Sequence, residues 1–173
     1  MKLNNGLEIP QIGVGTWTLR GETARQNVSL ALQAGFRHVD TAQMYENESE
    51  VGQGIAESGV PRGELFVTTK VSTNIMREGR EAVRQSIDES LARLKTDYID
   101  LLLIHWPVKD CVRDTWQVME DYVRQGRVRS IGVSNFNRHH LDDLLSYADM
   151  QAISALNQNL HSNALNDPET FPW

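Results

Sequence analysis

The sequence predicts an α/β protein with parallel strands, built from about five βα units and closed by a C-terminal helix and tail. Two observations carry this. Short apolar runs rich in β-branched residues alternate with amphipathic stretches of helical period, and a βαβα order implies right-handed crossovers within one sheet. No Gly-rich dinucleotide fingerprint follows any of the runs, which sets aside a doubly wound nucleotide-binding sheet and leaves an incomplete TIM (β/α)8 barrel. At 173 residues the chain is short for a complete barrel, for which roughly 250 residues is typical.

Residues 3–12 alternate apolar and polar around Asn5-Gly6, a hairpin signal. Ile12 to Trp17 reads as the first strand. Ala24, Val28, Leu30, Ala31 and Leu32 fall at helical spacing in a helix from Glu22 to Ala34, stopped by Gly35. Phe36 to Ala42 is the second strand and Asn47 to Ser58 the second helix. Leu65 to Val71 has the β-branched richness of a strand buried on both faces. Arg77 to Leu94 carries Val83, Ile87, Leu91 and Leu94 at intervals of three and four, one long helix. A fourth strand from Ile99 to His105, a helix from Cys111 or Val112 to Gln125 and a fifth strand from Val128 to Ser134 follow. Asn137 suits the N-cap of a fifth helix through Leu141, Leu144 and Leu145.

Composition narrows the function. A net charge of −6 with no run of Lys or Arg argues against a nucleic-acid surface. The single cysteine, Cys111, excludes an internal disulfide and a cysteine-based metal site, which suits a reducing cytoplasm. No apolar stretch approaches a membrane span, and no His/Asp/Glu cluster has metal-ligand spacing, so neither membrane nor metal is expected.

Four polar residues stand at or just past the C-terminal ends of predicted strands: Asp40 and Tyr45 around the second, Lys70 in the third and His105 in the fourth. In a parallel barrel those ends share one face, where the chemistry is built. Taken singly, an Asp after a strand is most often a helix cap, a Tyr in a loop packs at a rim, and a strand-end Lys is solvated. Their joint occurrence is what gives them weight.

The segment Asp40-Thr41-Ala42-Gln43-Met44-Tyr45-Glu46-Asn47-Glu48, the Lys of Val67-Thr68-Thr69-Lys70 and the His of Leu103-Ile104-His105-Trp106-Pro107 resemble the signatures of the aldo-keto reductases. Gly13-Val14-Gly15-Thr16 and Gly132-Val133-Ser134-Asn135-Phe136 fit the same family in the same order. The resemblance covers about the first 147 residues and is nearest to bacterial reductases of the diketogluconate and methylglyoxal type. It implies reduction of a small-molecule carbonyl, an aldehyde or keto sugar, by hydride from NADPH. Tyr45 would be the general acid, Lys70 the cation beside its oxygen, Asp40 the anion that orients Lys70, and His105 a hydrogen-bond donor to the carbonyl. A free phenol ionises near pH ~10, so proton donation at neutral pH calls for such a cation. The cofactor would contact Gly15, Thr16, Asp40, Ser134 and Asn135, with Ser134 and Asn135 on the carboxamide. Trp17 and Trp106 would line the substrate mouth, and Trp116 suits either that wall or the core. Glu48 reads as a cap or brace of the second helix, and His139 and His140 as surface residues.

Past Tyr147 the residues depart from that pattern, which divides the chain into a barrel part, 1–147, and a terminal helix with tail, 148–173. One alignment makes 148–173 the family's last helix and tail, joined after an internal deletion of roughly 100 residues given the usual barrel length. The other makes Ala155-Leu156-Asn157-Gln158 a sixth strand. An open five-stranded sheet leaves edge backbone unpaired, so self-association through those edges is expected and light scattering would read it. A second functional reading follows, a catalytically idle barrel remnant that serves as an assembly or partner-binding module.

Overall fold

The computed structural model describes residues 1–145. Five strands, β1 (Val14–Gly15), β2 (His38–Asp40), β3 (Phe66–Val71), β4 (Leu101–Ile104) and β5 (Ile131–Val133), form one sheet in the order β1-β2-β3-β4-β5, every pair parallel. Six helices lie between and after them: α1 (Gly21–Gln33), α2 (Glu48–Glu57), α3 (Thr73–Glu78), α4 (Arg80–Arg93), α5 (Val112–Arg124) and α6 (Arg138–Leu145). The strand order never reverses. With right-handed crossovers, an order that runs one way keeps the crossover helices on one face, as in a (β/α) barrel.

The core lies between sheet and helices. Val39, Val67, Leu102 and Ile104 from the strands meet Val28, Leu32, Val51, Ile87, Leu91 and Met119 from the helices, all buried. Trp116 joins this core at 4 % exposure and so is packing, not part of a substrate wall. Helix α2 packs closely on both sides because of two glycines. A Cβ on Gly52 would come within 2.5 Å of the Arg93 carbonyl oxygen, and one on Gly54 within 2.4 Å of that of Arg25.

Several predicted elements differ from the observed ones, and the strands expected over 36–42 and 128–134 shorten to His38–Asp40 and Ile131–Val133. The helix expected over 77–94 is two, broken at Gly79, whose φ of +97° lies in the region that glycine alone enters freely. The first strand shrinks to two residues, with Ile12 72 % exposed. The N-terminal hairpin forms but is short, an antiparallel Lys2–Glu8 bridge with the Leu3 N–H donating to the Leu7 carbonyl oxygen at 2.7 Å and the Ile9 N–H to that of Met1 at 2.8 Å. Elsewhere the agreement is close: Gly35 follows α1 at φ +105°, and the Asn137 Oδ1 accepts from the His140 N–H at 2.9 Å as an N-cap. His140 Nδ1 accepts from the Asn137 N–H in return, at 3.3 Å, a capping box with His in the place of Glu. Residues 146–173, with both alignments of the tail, lie outside the described residues.

Candidate active site

The four predicted polar residues converge. Lys70 points from β3 along the face where the strands end, and its side chain is nearly buried. Its Nζ donates to Asp40 Oδ1 at 2.6 Å, to the Thr41 carbonyl oxygen at 2.9 Å and to Tyr45 Oη at 3.2 Å. Strand pairing explains the meeting. Asp40 lies opposite Thr68 in the β2–β3 register, so a long side chain two residues further along β3 reaches just past the end of β2. Tyr45 comes back toward Lys70 because residues 43–45 make one 3-10 turn. The ring of Tyr45 meets that of His105 edge-on, with centroids 5.5 Å apart.

His105 is 7 % exposed, and its Nδ1 has no hydrogen-bond partner among the described residues. Burial, with the Lys70 charge as a second cause, pushes its pKa down to about 4. The imidazole is therefore neutral at pH 7. The unfolded chain takes up a proton on this residue below about pH 6.5, whereas the folded chain resists until about pH 4. Stability due to His105 is full above the first value and falls as the pH drops between the two, by ~1.4 kcal/mol per unit at most. Urea midpoints at pH 7 and pH 5 should converge in His105→Gln relative to the parent chain.

The expected cofactor residues gather on the same face. Gly15 pairs with Asp40 in the β1–β2 register, and a Cβ there would meet nothing within 4 Å, so the backbone faces open space. Thr16 is buried, its N–H and Oγ1 both donating to the Asp40 carbonyl oxygen at 3.0 and 3.1 Å. Ser134 follows β5, its N–H donating to the Ile104 carbonyl oxygen at 2.8 Å. Asn135 takes φ +60° and donates from Nδ2 to the His105 carbonyl oxygen at 2.8 Å, which joins the ends of β4 and β5. Of the two rim aromatics, Trp106 stacks near His105 at 6.5 Å between centroids, and Trp17 is 67 % exposed just past β1. Among the described residues no cluster of three His, Cys, Asp or Glu could hold a metal ion.

Behind these groups stands a frame that residue types alone did not disclose. Asn47, buried, donates from Nδ2 to the Thr16 and Leu19 carbonyl oxygens at 2.8 and 2.9 Å and accepts from Thr41 Oγ1 at 3.0 Å. It thereby ties the segment bearing Trp17 to the residue whose carbonyl holds Lys70. Glu48 is a brace, as expected, but between elements and not within its helix. It accepts from Thr69 Oγ1 at 2.6 Å, Ser90 Oγ at 3.1 Å and Arg93 Nε at 2.8 Å. His38 Nε2 lies 3.0 Å from Thr68 Oγ1, and burial lowers its pKa. The Asn-Glu pair within the Tyr45 motif was the one readable hint of this frame.

Residues 11–172 match the model of the Aldo/keto reductase family, a match that runs on past residue 147. The chain is 46 % identical over 152 residues to the glyoxal reductase of Bacillus subtilis, covering 87 % of the chain and 54 % of that relative. It is similar in structure to an aldo-keto reductase from a Medee basin deep-sea metagenome library, with a TM-score of 0.82 and 45 % identity over 86 % of the chain and 54 % of that protein. The Bombyx mori aldo-keto reductase in complex with NADP superimposes with a TM-score of 0.76 at 42 % identity, again over 86 % and 54 % of the two chains. The chain thus spans about half the length of the relatives it matches. Because the family model matches nearly the whole of it, the chain belongs to the aldo/keto reductase family.

Proposed function

We propose that the chain carries the proton-delivering half of a carbonyl reductase, acting on aldehydes or keto sugars with NADPH. The observation that supports this best is the Lys70 ammonium held between the Asp40 carboxylate and the Tyr45 phenol. When a hydride adds to a carbonyl carbon, negative charge develops on the oxygen, and a proton delivered in the transition state lowers that cost. Tyr45 gives the proton. Lys70, at 3.2 Å, stabilises the charge left on the phenol oxygen, and Asp40 keeps the ammonium oriented toward it. His105, neutral at pH 7, offers the N–H of its imidazole to the carbonyl oxygen and fixes its angle.

NADPH, when bound, supplies the hydride. The residues on this face fit such a group: Gly15 leaves the backbone open at the end of β1, and Ser134 and Asn135 bring a hydroxyl and an amide to the end of β5, beside His105. Trp17 and Trp106 form the apolar side of the mouth. The Bombyx mori relative, described in complex with NADP, is consistent with this cofactor.

The test is aldehyde-dependent loss of NADPH absorbance with the purified chain, with glyoxal-type aldehydes and keto sugars as substrates. Cofactor consumption that requires the carbonyl and yields the matching alcohol supports the reading. Cofactor consumption without alcohol, or none with any carbonyl, contradicts it.

A further inference from the structure

We propose that Gln43 is a positioning residue that sets the separation of the Tyr45 hydroxyl from the Lys70 ammonium. The turn that carries Tyr45 is short, closed by the Tyr45 N–H donating to the Ala42 carbonyl oxygen at 3.0 Å and the Glu46 N–H to that of Gln43 at 3.2 Å. It spans Gln43–Tyr45, contains no buried residue, and leads into Glu46 at φ +52°, a left-handed conformation that a non-glycine residue adopts at some cost. Core packing therefore does not fix it. Its rear is fixed by one side chain. Gln43 Oε1 accepts from the backbone N–H of Ser72 at 2.8 Å, two residues beyond Lys70 on the same strand end. Gln43 Nε2 faces three acceptors on α4, the Ser86 carbonyl oxygen at 3.2 Å and the Ser86 and Ser90 hydroxyls at 3.1 Å each.

The orientation of this amide is forced from both sides. A backbone N–H only donates and a backbone carbonyl only accepts, so the oxygen must face Ser72 and the nitrogen Ser86. The Ser90 hydroxyl also donates to Glu48 at 3.1 Å, which extends the anchorage to α2. Gln43 thus links the turn holding the phenol, the strand end holding the amine and the helix packed behind both. Nothing else in the turn does this: the neighbouring Met44 is 44 % exposed and touches Thr73 through sulfur at 3.9 Å. Catalysis by a positioned acid is sensitive to displacements of about 1 Å, and the Tyr45–Lys70 distance is set between a turn and a separate strand.

The inference rests on the reductase reading, and Gln43→Met tests it with the side-chain length kept and the hydrogen bonds removed. The expected result is a kcat lowered by roughly ten- to a hundredfold with the carbonyl KM and NADPH affinity unchanged. In a Lys70→Met background the same substitution should cost nothing further, because the separation it sets no longer matters. An unchanged kcat, or an equal loss in both backgrounds, overturns the proposal, the second outcome marking a general loss of structure. Ring-labelled tyrosine NMR gives a readout independent of turnover: Gln43→Met should move the Tyr45 resonance and leave Tyr98 and Tyr122 in place. If the parent chain shows no reductase activity, that reading fails by itself, and an unmoved Tyr45 resonance still overturns the positioning role.

Discussion

Lys70→Met should lower carbonyl turnover by about 10² to 10³-fold while the chain stays folded. A buried ammonium beside the phenol acts where charge develops, and positioned acid–base groups contribute on this scale. Methionine fills much of the same space but supplies no charge and no donor. The Asp40 side chain is 36 % exposed, so its carboxylate keeps access to water once the partner is gone, which limits the cost to stability. Turnover with saturating carbonyl, compared alongside the far-ultraviolet circular dichroism of the two chains, checks both halves of the expectation. Asp40→Asn should act in the same direction and more weakly, since Thr41 still accepts from Lys70 at 2.9 Å. The combined variant should lose less than the product of the two separate losses, because the residues act as one unit.

The largest effect on stability is expected at the opposite end of the sheet. Asp100, fully buried just before β4, accepts from Arg62 Nη2 at 2.7 Å, Arg129 Nη1 at 2.8 Å and the Val67 N–H at 3.0 Å. One carboxylate so joins the segments leading into β3, β4 and β5. Asp100→Ala strands a buried backbone N–H and leaves two guanidinium groups crowded without their anion. Leaving a buried donor unsatisfied typically costs ~1–3 kcal/mol, and the two guanidinium groups, 22 % and 43 % exposed, keep access to water, so the Tm should fall by roughly 5 °C for a chain of this size. Asp100→Asn keeps one acceptor but turns an amide N–H toward the donors, and should fall between. Thermal unfolding of the three chains tests this. Because the site lies at the other ends of the strands, turnover well below Tm should not change.

The sequence disclosed the constellation and the order of elements for a physical reason. Asp40, Lys70 and His105 are polar where the pattern of their runs expects apolar residues, so they stand out at the strand ends. What it hid was the support. Whether Gly79 breaks a helix or is tolerated within one depends on its φ, and the apolar spacing from Val83 to Leu94 gives no sign of a break just before it. Thr41 holds Lys70 through its carbonyl, which every residue type has. Glu48 and Arg93 are 45 positions apart and meet only because Gly52 lets α2 approach α4 closely. Gln43 sits within the motif yet acts on residues 29 to 47 positions away, a relation that no local pattern contains. Trp116, which its position in the sequence left open between a pocket wall and the core, belongs to the core face of α5.

The most direct test of the central claim replaces one oxygen. Tyr45→Phe keeps the ring that meets His105 and removes only the hydroxyl that receives the Lys70 hydrogen bond. NADPH binding should be retained, as read by the cofactor's fluorescence, while aldehyde-dependent NADPH oxidation falls by roughly a thousandfold. Oxidation that continues near the parent rate would show that another group delivers the proton, and would contradict the assignment of the strand-end constellation as the catalytic site.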